Sequence, residues 1–391
     1  MARLIALPLP STGEAAEAVR ARWEAGDAVL PLDPEASRAE VEALLAALRP
    51  DRLASFDDPD GCALPDPLPT DDGVALVVAT SGSTGTRKGV TLTSAALDAS
   101  TAASLARLGV QHDAVWRVPL PLHHVAGLAA LRRGWALGTT PDVVAPGDLD
   151  ALLRPGADHV AVVPTQLHRW LARDGAAGPR QVLLGGAAAS GDLLERAAVA
   201  GIEVVTSYGM TETCGGCVYD GHPLAGAEVA LAGDDRIRLR GEMLFSGYRG
   251  DPTATAATVD DDGWFTTSDV GRLGEDGRLT VLGRADDVVV SGGENVPLAV
   301  VVAALRSHPD VADATAVGEP DPEWGERVHA VVVPRDLAAP PTEADLREHV
   351  RGDHPAAFAP RRVTFVQELP RDAMGKVTRS SLRAAIAVAR G

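Results

Sequence analysis

The sequence predicts an α/β protein. A large N-terminal domain of parallel and mixed sheets layered with helices carries a small β subdomain, and a small α+β C-terminal domain follows. Strand patterns alternate with helical patterns through the first half of the chain, which favours parallel sheets covered by helices. Short strands separated by Gly and Asp turns then predict the β subdomain. Because 391 residues exceed one ordinary core, we expect two or more domains.

The first elements are predicted from local patterns. Residues 12–25 predict a helix, 28–32 a strand, and 37–48 a second helix with apolar residues near the 3.6-residue spacing. The segment 50–72 is rich in Asp, Pro and Gly and has no periodicity, so it predicts a long loop. The apolar run 74–79 that follows predicts a buried strand.

A phosphate-binding loop is predicted at 80–89, between that strand and a helical pattern at 94–108. Its glycines allow backbone N–H groups to turn inward, its Ser and Thr residues add hydroxyl donors, and Lys88 adds a positive charge. It is not a Walker A loop, because Arg87 precedes Lys88 and Gly89 follows it. The alternative is a flexible surface linker.

Strands and helices alternate beyond this loop. The predicted strands are 114–119, 159–163, 181–184 and 203–206, and the predicted helices are 124–137, 166–173 and 190–200. Ligands collect at the carboxyl ends of parallel strands. The loops 185–187 and 207–213 are therefore candidate binding segments.

The C-terminal part has a different pattern. The β subdomain is predicted to contain the strands 227–230, 236–239, 242–246 and 279–282. A composition break at 284–287 separates a domain 1–283 from a domain 288–391. Elements predicted in the second domain are helices 297–307 and 342–350, strands 312–317, 328–333 and 363–366, and a final Ala-rich helix. Thr342 and Asp345 form an approximate capping box.

Composition excludes several classes of protein. A net charge of −18 argues against binding to nucleic acid or anionic membranes. Residues 1–10 lack a cationic start followed by a long apolar core, and no run of about 18 apolar residues occurs, so we expect a cytoplasmic protein without a membrane span. Cys214 and Cys217 have the Cys-x-x-Cys spacing of a redox pair or half a zinc site, but no second pair exists, and buried structural cysteines are the alternative.

Five segments occur in an order that is more specific than any one of them. They are 80–89, the Tyr-Gly-Met-Thr-Glu loop 208–212, the Gly-Trp-Phe-Thr-Thr-Ser-Asp segment 263–269, the Gly-Arg-Ala-Asp-Asp break 283–287, and the Gly-Lys loop 375–376. Together they resemble the adenylate-forming superfamily, the acyl-CoA synthetases and their relatives, over about residues 74–380. The resemblance implies a mobile C-terminal domain, a hinge at 284–287 with Asp286 at the hinge position, and a reaction that uses ATP, Mg²⁺ and CoA.

The resemblance also implies a nucleotide site. Its members are Thr80, Ser81, Gly82, Ser83, Thr84, Gly85 and Lys88 for the phosphates, Gly185, Gly186, Ala187, Tyr208 and Gly209 for adenine, and Asp269 and Arg284 for the ribose. Thr211 and Glu212 are implied in catalysis, with Glu212 binding Mg²⁺, a cation that prefers carboxylate and phosphate oxygens. Lys376 would bridge the substrate carboxylate and the α-phosphate. Alternatively, Thr211 and Glu212 cap a helix, Tyr208 is a core tyrosine, and Lys376 is a solvated surface lysine.

Further segments indicate which acid is activated and that CoA is its acceptor. The runs 291–295 and 321–326 resemble acyl- and aryl-CoA ligases, in which Gly292, Gly293 and Trp324 would line the CoA tunnel. His124 matches the wall of the acyl pocket, although a structural histidine is the alternative.

Either Arg132 or Arg133 could face a second carboxylate on the substrate, although a pair of surface arginines explains them equally well. The resemblance is greatest to the branch that ligates o-succinylbenzoate in menaquinone biosynthesis. Another aryl- or medium-chain acid, or a non-catalytic nucleotide-binding homologue, is the alternative. A homodimer is compatible with the sequence.

Overall fold

The computed structural model describes residues 2–81, 87–173 and 178–370, together with Val377, Leu382 and Ile386; of Ser81, Asp286 and Asn295 it describes the backbone. The chain divides into two compact units. Unit 1 comprises Met1–Val229 and Leu239–Phe265, and unit 2 comprises Ala230–Arg238 and Thr266–Gly391. This division falls earlier in the chain than the hinge predicted at 284–287, which stays a prediction.

Unit 1 begins with nine regular elements. They are β1 (Leu4–Pro8), α1 (Gly13–Glu24), β2 (Ala28–Leu32), α2 (Arg38–Leu48), β3 (Arg52–Leu53), β4 (Cys62–Ala63), β5 (Val74–Ser81), β6 (Arg87–Thr93) and α3 (Ser94–Leu108). The second group is β7 (Trp116–Val118), α4 (Val125–Ala136), β8 (Asp142–Val143), α5 (Leu149–Leu153), β9 (His159–Val162), α6 (Pro164–Leu171), β10 (Gln181–Leu184), α7 (Gly191–Val199), β11 (Glu203–Met210), a 3₁₀ turn (Thr211–Thr213), β12 (Gly215–Tyr219) and β13 (His222–Pro223).

A β-rich region follows, and its strands contain the points at which the chain divides. Its elements are β14 (Ala227–Leu231), β15 (Arg236–Gly241), β16 (Gly247–Tyr248), α8 (Pro252–Ala256), β17 (Phe265–Leu273) and β18 (Leu279–Arg284). The remaining elements of unit 2 are a 3₁₀ turn (Ala285–Asp287), β19 (Val288–Ser291), β20 (Glu294–Pro297), α9 (Leu298–Arg306), β21 (Val311–Asp321), β22 (Gly325–Pro334), α10 (Glu343–Asp353), a 3₁₀ turn (Ala356–Phe358) and β23 (Arg362–Phe365).

Two seven-stranded sheets form the framework of unit 1. The first has the order β16-β6-β5-β2-β1-β3-β4, and the second has the order β13-β12-β11-β10-β9-β7-β8. In the second sheet β8, β7, β9, β10 and β11 run parallel. The predicted parallel sheet is thereby confirmed, and the carboxyl ends of β9, β10 and β11 lie at one edge. Each sheet has its own apolar core, around Leu30 and Val77 in the first and around Val160 and Trp170 in the second.

Helix starts were predictable because their signals are local. Ser37 caps α2 in a capping box with Glu40, and Thr93 caps α3. In unit 2, Thr342 caps α10 and Asp345 completes the predicted capping box. Such side chains satisfy backbone N–H groups that the first turn of a helix leaves unbonded.

Several strands of the structure differ from the prediction. Residues 4–8 form the buried strand β1, which the sequence prediction missed. The predicted loop 50–72 contains the short hairpin strands β3 and β4. The segment 242–246 is not a strand, whereas 265–273 forms β17. Each of these strands pairs with a distant segment or is very short, so local alternation is a poor guide to it.

Unit 2 contains a five-stranded sheet with the path β20-β19-β22-β21, in which β23 pairs with β22. Its core includes Val301, Leu305, Val328, Val332 and Leu346. The predicted helices and strands of this α+β region are confirmed from α9 to β23. Within the described residues of both units, no helix is long and apolar enough to cross a bilayer.

Candidate active site

The described residues at both ends of the predicted phosphate loop lie in two paired strands. β5 and β6 pair in antiparallel register, with Thr80 opposite Lys88 and Ser81 opposite Arg87. The predicted residues Gly82, Ser83, Thr84 and Gly85 lie outside the described residues. The prediction of a strand, a loop and a helix therefore needs one addition, since the strand β6 separates the loop from α3.

The two predicted adenine segments are adjacent. Gly185 follows β10, and its N–H donates to the carbonyl of Val162 at 3.1 Å. A Cβ atom on Gly185 would lie 3.5 Å from the Cβ of Ser207, the neighbour of Tyr208 in β11. Gly186 has a φ of +80°, which suits glycine. The carboxyl ends of β10 and β11 thus place both segments at one edge of the sheet.

A tight turn presents Thr211 and Glu212 after β11. Gly209 makes this turn possible, because a Cβ atom there would lie 2.0 Å from the carbonyl oxygen of Gly215. Thr213 is fully buried, and its hydroxyl accepts from the N–H of Met210 at 2.9 Å. The glycine and the buried threonine fix the backbone on both sides of Glu212.

Glu212 and Lys88 meet at Tyr248. The Tyr248 hydroxyl donates to Glu212 Oε1 at 3.0 Å, and the Lys88 ammonium lies 4.5 Å from the centre of the Tyr248 ring. The backbone carbonyl of Glu212 accepts from the N–H of Phe245 at 2.8 Å. Burial, and next the charge of Glu212, raise the pKa of Tyr248, so the phenol keeps its proton. Two residues that are predicted to handle ATP are therefore linked by one tyrosine.

The carboxylate of Glu212 suits a magnesium ion that is held mainly by a nucleotide. Among the described residues, no three His, Cys, Asp or Glu side chains cluster so as to hold a metal ion by themselves. Mg²⁺ in nucleotide enzymes is commonly bound by one or two carboxylates together with substrate phosphates and water. We call the paired strands β5 and β6 the phosphate hairpin. The position of Glu212 beside Lys88 of this hairpin fits that pattern.

His124 lies at the N-cap of α4, in the loop after β7. Its ring centre is 4.4 Å from that of His123, whose Nε2 is 3.8 Å from Asp33 Oδ2. Burial, opposed by the charges of Asp33 and Glu35, lowers the pKa of His123. His123 is therefore neutral at pH 7 and adds no positive charge beside His124.

Arg132 and Arg133 lie about 12 Å further along α4 than His124. Arg132 forms an ion pair with Asp98 and lies over the ring of Trp23, at 4.8 Å from its centre. Arg133 is 3% exposed. It donates to Ser104 Oγ at 2.8 Å and to Tyr219 Oη at 3.2 Å. Both guanidiniums thus have protein partners away from His124, and their contact with a substrate stays a prediction.

Unit 2 brings together the predicted ribose residues. Asp269 in β17 pairs with Arg284 in β18, and Arg284 Nε lies 3.6 Å from Asp269 Oδ1. Asp286 lies in the 3₁₀ turn that follows. Lys376 lies outside the described residues.

The predicted CoA residues also meet within unit 2. Gly292 and Gly293 form the turn between β19 and β20, and both have positive φ. The N–H of Gly292 donates to the carbonyl of Trp324 at 3.0 Å, and a Cβ atom on Gly292 would lie 2.6 Å from the indole ring. The Arg361 guanidinium lies 3.7 Å from the centre of the Trp324 ring.

Comparison with known proteins identifies the family. A family model described as AMP-binding enzyme matches residues 50–249, and one described as AMP-binding enzyme C-terminal domain matches residues 289–376. The chain belongs to the AMP-binding enzyme family. The adenylate-forming resemblance predicted from its motifs is thereby confirmed.

Several relatives of this AMP-binding enzyme are named as ligases that act on 2-succinylbenzoate. A probable 2-succinylbenzoate–CoA ligase of Mycobacterium tuberculosis is 42% identical over 331 residues, which are 80% of this chain and 84% of that protein. The structure is also similar to o-succinylbenzoate CoA synthetase (MenE) from Bacillus subtilis in complex with the acyl-adenylate intermediate OSB-AMP. That match has a TM-score of 0.85 and 28% identity, and it covers 97% of this chain and 88% of the other. The same enzyme in complex with ATP and magnesium ion matches with a TM-score of 0.83 and 27% identity, over 97% and 89% of the two chains.

Sequence reasoning about this AMP-binding enzyme missed Tyr248 and Arg361. Both contact predicted site residues that are distant in sequence, so no local spacing pointed to them. One signal was available for Tyr248, because the chain has three tyrosines and this one stands between two glycines in Gly-Tyr-Arg-Gly. A large aromatic residue in such a turn indicates a specific packing role.

The Cys-x-x-Cys pair of this enzyme is buried. Cys214 and Cys217 are each 1% exposed and are free thiols. Burial raises the pKa of both thiols to about 12. Since the thiolate is the reactive and metal-binding form, the structure supports the interpretation of buried structural cysteines.

Proposed function

We propose that this enzyme ligates 2-succinylbenzoate to CoA through an acyl-adenylate. The observation that carries the proposal is the 42% identity to a probable 2-succinylbenzoate–CoA ligase over 80% of this chain. The likeness to a synthetase in complex with its acyl-adenylate intermediate supports the same chemistry. The geometry around Tyr248 supports ATP as the second substrate, because it joins a carboxylate to the cation of a phosphate hairpin.

The first half-reaction forms the adenylate. A carboxylate oxygen of the acid attacks the α-phosphorus of ATP, the bond to the bridging oxygen breaks, and pyrophosphate leaves with that electron pair. Lys88 and the hairpin would hold the β- and γ-phosphates, and Lys376 would offset the charge that builds up between the carboxylate and the α-phosphate. Magnesium, when bound by Glu212 and phosphate oxygens, supplies positive charge that neutralises the departing pyrophosphate.

The second half-reaction transfers the acyl group. The thiolate of CoA attacks the acyl carbonyl carbon, and AMP leaves as the carbon–oxygen bond to phosphate breaks. Gly292, Gly293 and Trp324 are proposed to contact the pantetheine arm. The two glycines form a turn that exposes backbone without side chains, and Trp324 packs against this turn. Asp269 and Arg284 are proposed to hold the ribose throughout, as a carboxylate accepts from both hydroxyls.

The substrate pocket is proposed to include His124. Arg132 and Arg133 remain candidates for the second carboxylate. Because ATP and free CoA are cytoplasmic pools, we place the reaction in the cytoplasm. A homodimer is the assembly proposed from sequence, and light scattering measures it.

A product assay tests the proposal. The protein is incubated with ATP, Mg²⁺, CoA and one acid at a time, and the CoA thioester is identified by mass. We expect kcat/KM for 2-succinylbenzoate to exceed that for benzoate by at least about 100-fold, because buried polar groups that hold a second carboxylate are unpaired with benzoate. Preference for benzoate or a medium-chain acid would overturn the proposed substrate but would leave the proposed ligation through an acyl-adenylate intact. ATP binding without any thioester would indicate a non-catalytic homologue.

A further inference from the structure

The backbone around Tyr248 ties this residue to the phosphate hairpin. β16 pairs with β6, with Gly247 opposite Thr91 and Tyr248 opposite Val90. The N–H of Tyr248 donates to Thr255 Oγ1 at 2.9 Å. The strand that carries Lys88 therefore also determines where the Tyr248 ring lies.

Anchors on both sides of Tyr248 hold β16 in place. On one side, the N–H of Ser246 donates to the carbonyl of Thr91 at 2.9 Å. On the other side, the N–H of Arg249 donates to the carbonyl of Gly89 at 2.8 Å. The Tyr248 ring also packs against Phe245, with ring centres 5.0 Å apart. Tyr248 itself is 8% exposed. Its ring and hydroxyl thus have little freedom to move.

Tyr248 uses two different groups on two different partners. Its hydroxyl donates to one carboxylate oxygen of Glu212, which restricts rotation of that carboxylate. Its ring face lies under the Lys88 ammonium, where the negative potential of the ring attracts the cation. The two contacts are separable by mutation, since the hydroxyl is removed without the ring in phenylalanine.

We propose that Tyr248 is a positioning residue that holds Glu212 for the magnesium of MgATP and holds Lys88 for the phosphates. It acts through these two side chains rather than on the reacting atoms. This inference rests on the proposed use of ATP, but it does not depend on which acid is ligated. Hydrogen-bond partners of carboxylates that bind metals commonly change metal affinity or activity 10–100-fold, which sets the size of the expected effect.

ATP binding without the acid tests the hydroxyl. The affinity for ATP is measured by titration calorimetry in Mg²⁺ and in EDTA. For Tyr248→Phe we expect an affinity about tenfold weaker in Mg²⁺ and unchanged in EDTA. When Glu212→Gln is already present, Tyr248→Phe should cause no further loss of ATP affinity in Mg²⁺. Both changes act on the same function, the binding of magnesium by Glu212. A Tyr248→Phe variant with wild-type affinity in Mg²⁺, with equal losses in both conditions, or with a loss additive to that of Glu212→Gln would overturn the proposal.

Tyr248→Leu tests the ring. This variant should bind ATP more weakly than Tyr248→Phe also in EDTA, because Lys88 loses its aromatic support. Equal affinities of the two variants in EDTA would overturn the Lys88 part of the proposal. Tyr248→Phe is isosteric, so the Glu212 part stays testable even if the leucine variant does not fold.

Tyr219→Phe is the matched control. Tyr219 is fully buried, and its hydroxyl bonds to Ser104 and Arg133. This variant should bind ATP as the unaltered protein does in both conditions. A tenfold loss confined to Mg²⁺ in this control would overturn the assignment to Tyr248. If the unaltered protein bound no ATP, both the proposed function and this inference would fail, whereas ATP binding without ligation of any acid would overturn the proposed function alone.

Discussion

At the scale of single residues, Gly209 shows how a turn depends on the absence of one atom. A Cβ atom there would lie 2.0 Å from the Gly215 carbonyl oxygen, which the hairpin of β11 and β12 holds in place. We expect Gly209→Ala to lower the free energy of unfolding by about 2 kcal/mol, because backbone must shift to admit the methyl group. It should also weaken MgATP binding, since Glu212 follows three residues later. Urea unfolding and calorimetry measure the two effects.

Gly191 provides the control for that substitution. It lies in α7, and a Cβ atom there meets nothing within 4 Å. Gly191→Ala should leave stability unchanged or raise it by up to about 1 kcal/mol, since alanine reduces the freedom of the unfolded chain. Equal losses from the two substitutions would mean that the close contact at Gly209 does not determine the outcome.

The three cysteines differ in the reactivity that their surroundings allow. Cys62 is exposed, whereas Cys214 and Cys217 are buried, and burial raises the pKa of their thiols to about 12. At pH 8 we expect a chromogenic disulfide reagent to modify Cys62 alone in the native protein, because thiolates are the reacting form. All three should react in denaturant, and Cys62→Ala should remove the native reaction. Rapid modification of a second thiol in the native protein would contradict this account of the pair.

At the scale of elements, Arg249 joins β16 to the end of α2. Its guanidinium donates to the carbonyl of Leu48 at 2.7 Å, to that of Leu68 at 2.7 Å and to Thr70 Oγ1 at 3.1 Å. Lysine has a single nitrogen and cannot reach these separated oxygens together. We therefore expect Arg249→Lys to lower the free energy of unfolding by about 3 kcal/mol, measured in urea, because partly buried acceptors lose their donors.

Arg240 supplies the comparison. It is exposed and pairs with Glu228 through Nη2 and Oε2 at 2.8 Å. Exposed ion pairs contribute little, so Arg240→Lys should change stability by less than about 0.5 kcal/mol. A similar result for Arg249→Lys would show that its hydrogen bonds are replaced by water without loss.

The same elements show what sequence alone predicts. The start of α2 was predictable because Ser37 and Glu40 signal it within four residues. The partnership of Tyr248 with Lys88 and Glu212 was not, since it joins three segments that are far apart in the chain. The hairpin of β5 and β6 was missed for a related reason. Its second strand starts with Arg87 and Lys88, and two consecutive charged residues are more typical of a loop. This strand is stabilised by pairing with β5 rather than by alternation of apolar residues in its own sequence.

At the scale of the whole molecule, the ordered motifs predicted the family although the single motifs did not. Lys88 alone indicated a polyphosphate, and Lys376 alone was consistent with a solvated lysine. Their order along the chain indicated the adenylate-forming family, and the match of two family models confirmed it. The division into two units could not be located from composition, because β18 and all of β17 except Phe265 belong to unit 2, ahead of the break at 284–287.

The two half-reactions make different electrostatic demands, and we predict that a substitution of Lys376 separates them. Adenylation brings a carboxylate against a phosphate, so a cation between the two anions lowers the barrier. Thioester formation brings a thiolate to an uncharged acyl carbon and has no such requirement. We expect Lys376→Ala to slow pyrophosphate exchange at least about 100-fold and to leave the conversion of supplied acyl-adenylate to CoA thioester within about twofold. Arg371→Ala, five residues earlier in the sequence, serves as the control and should alter neither rate. Equal loss of both half-reactions in Lys376→Ala would mean that this lysine supports the fold or CoA binding instead of the adenylation charge.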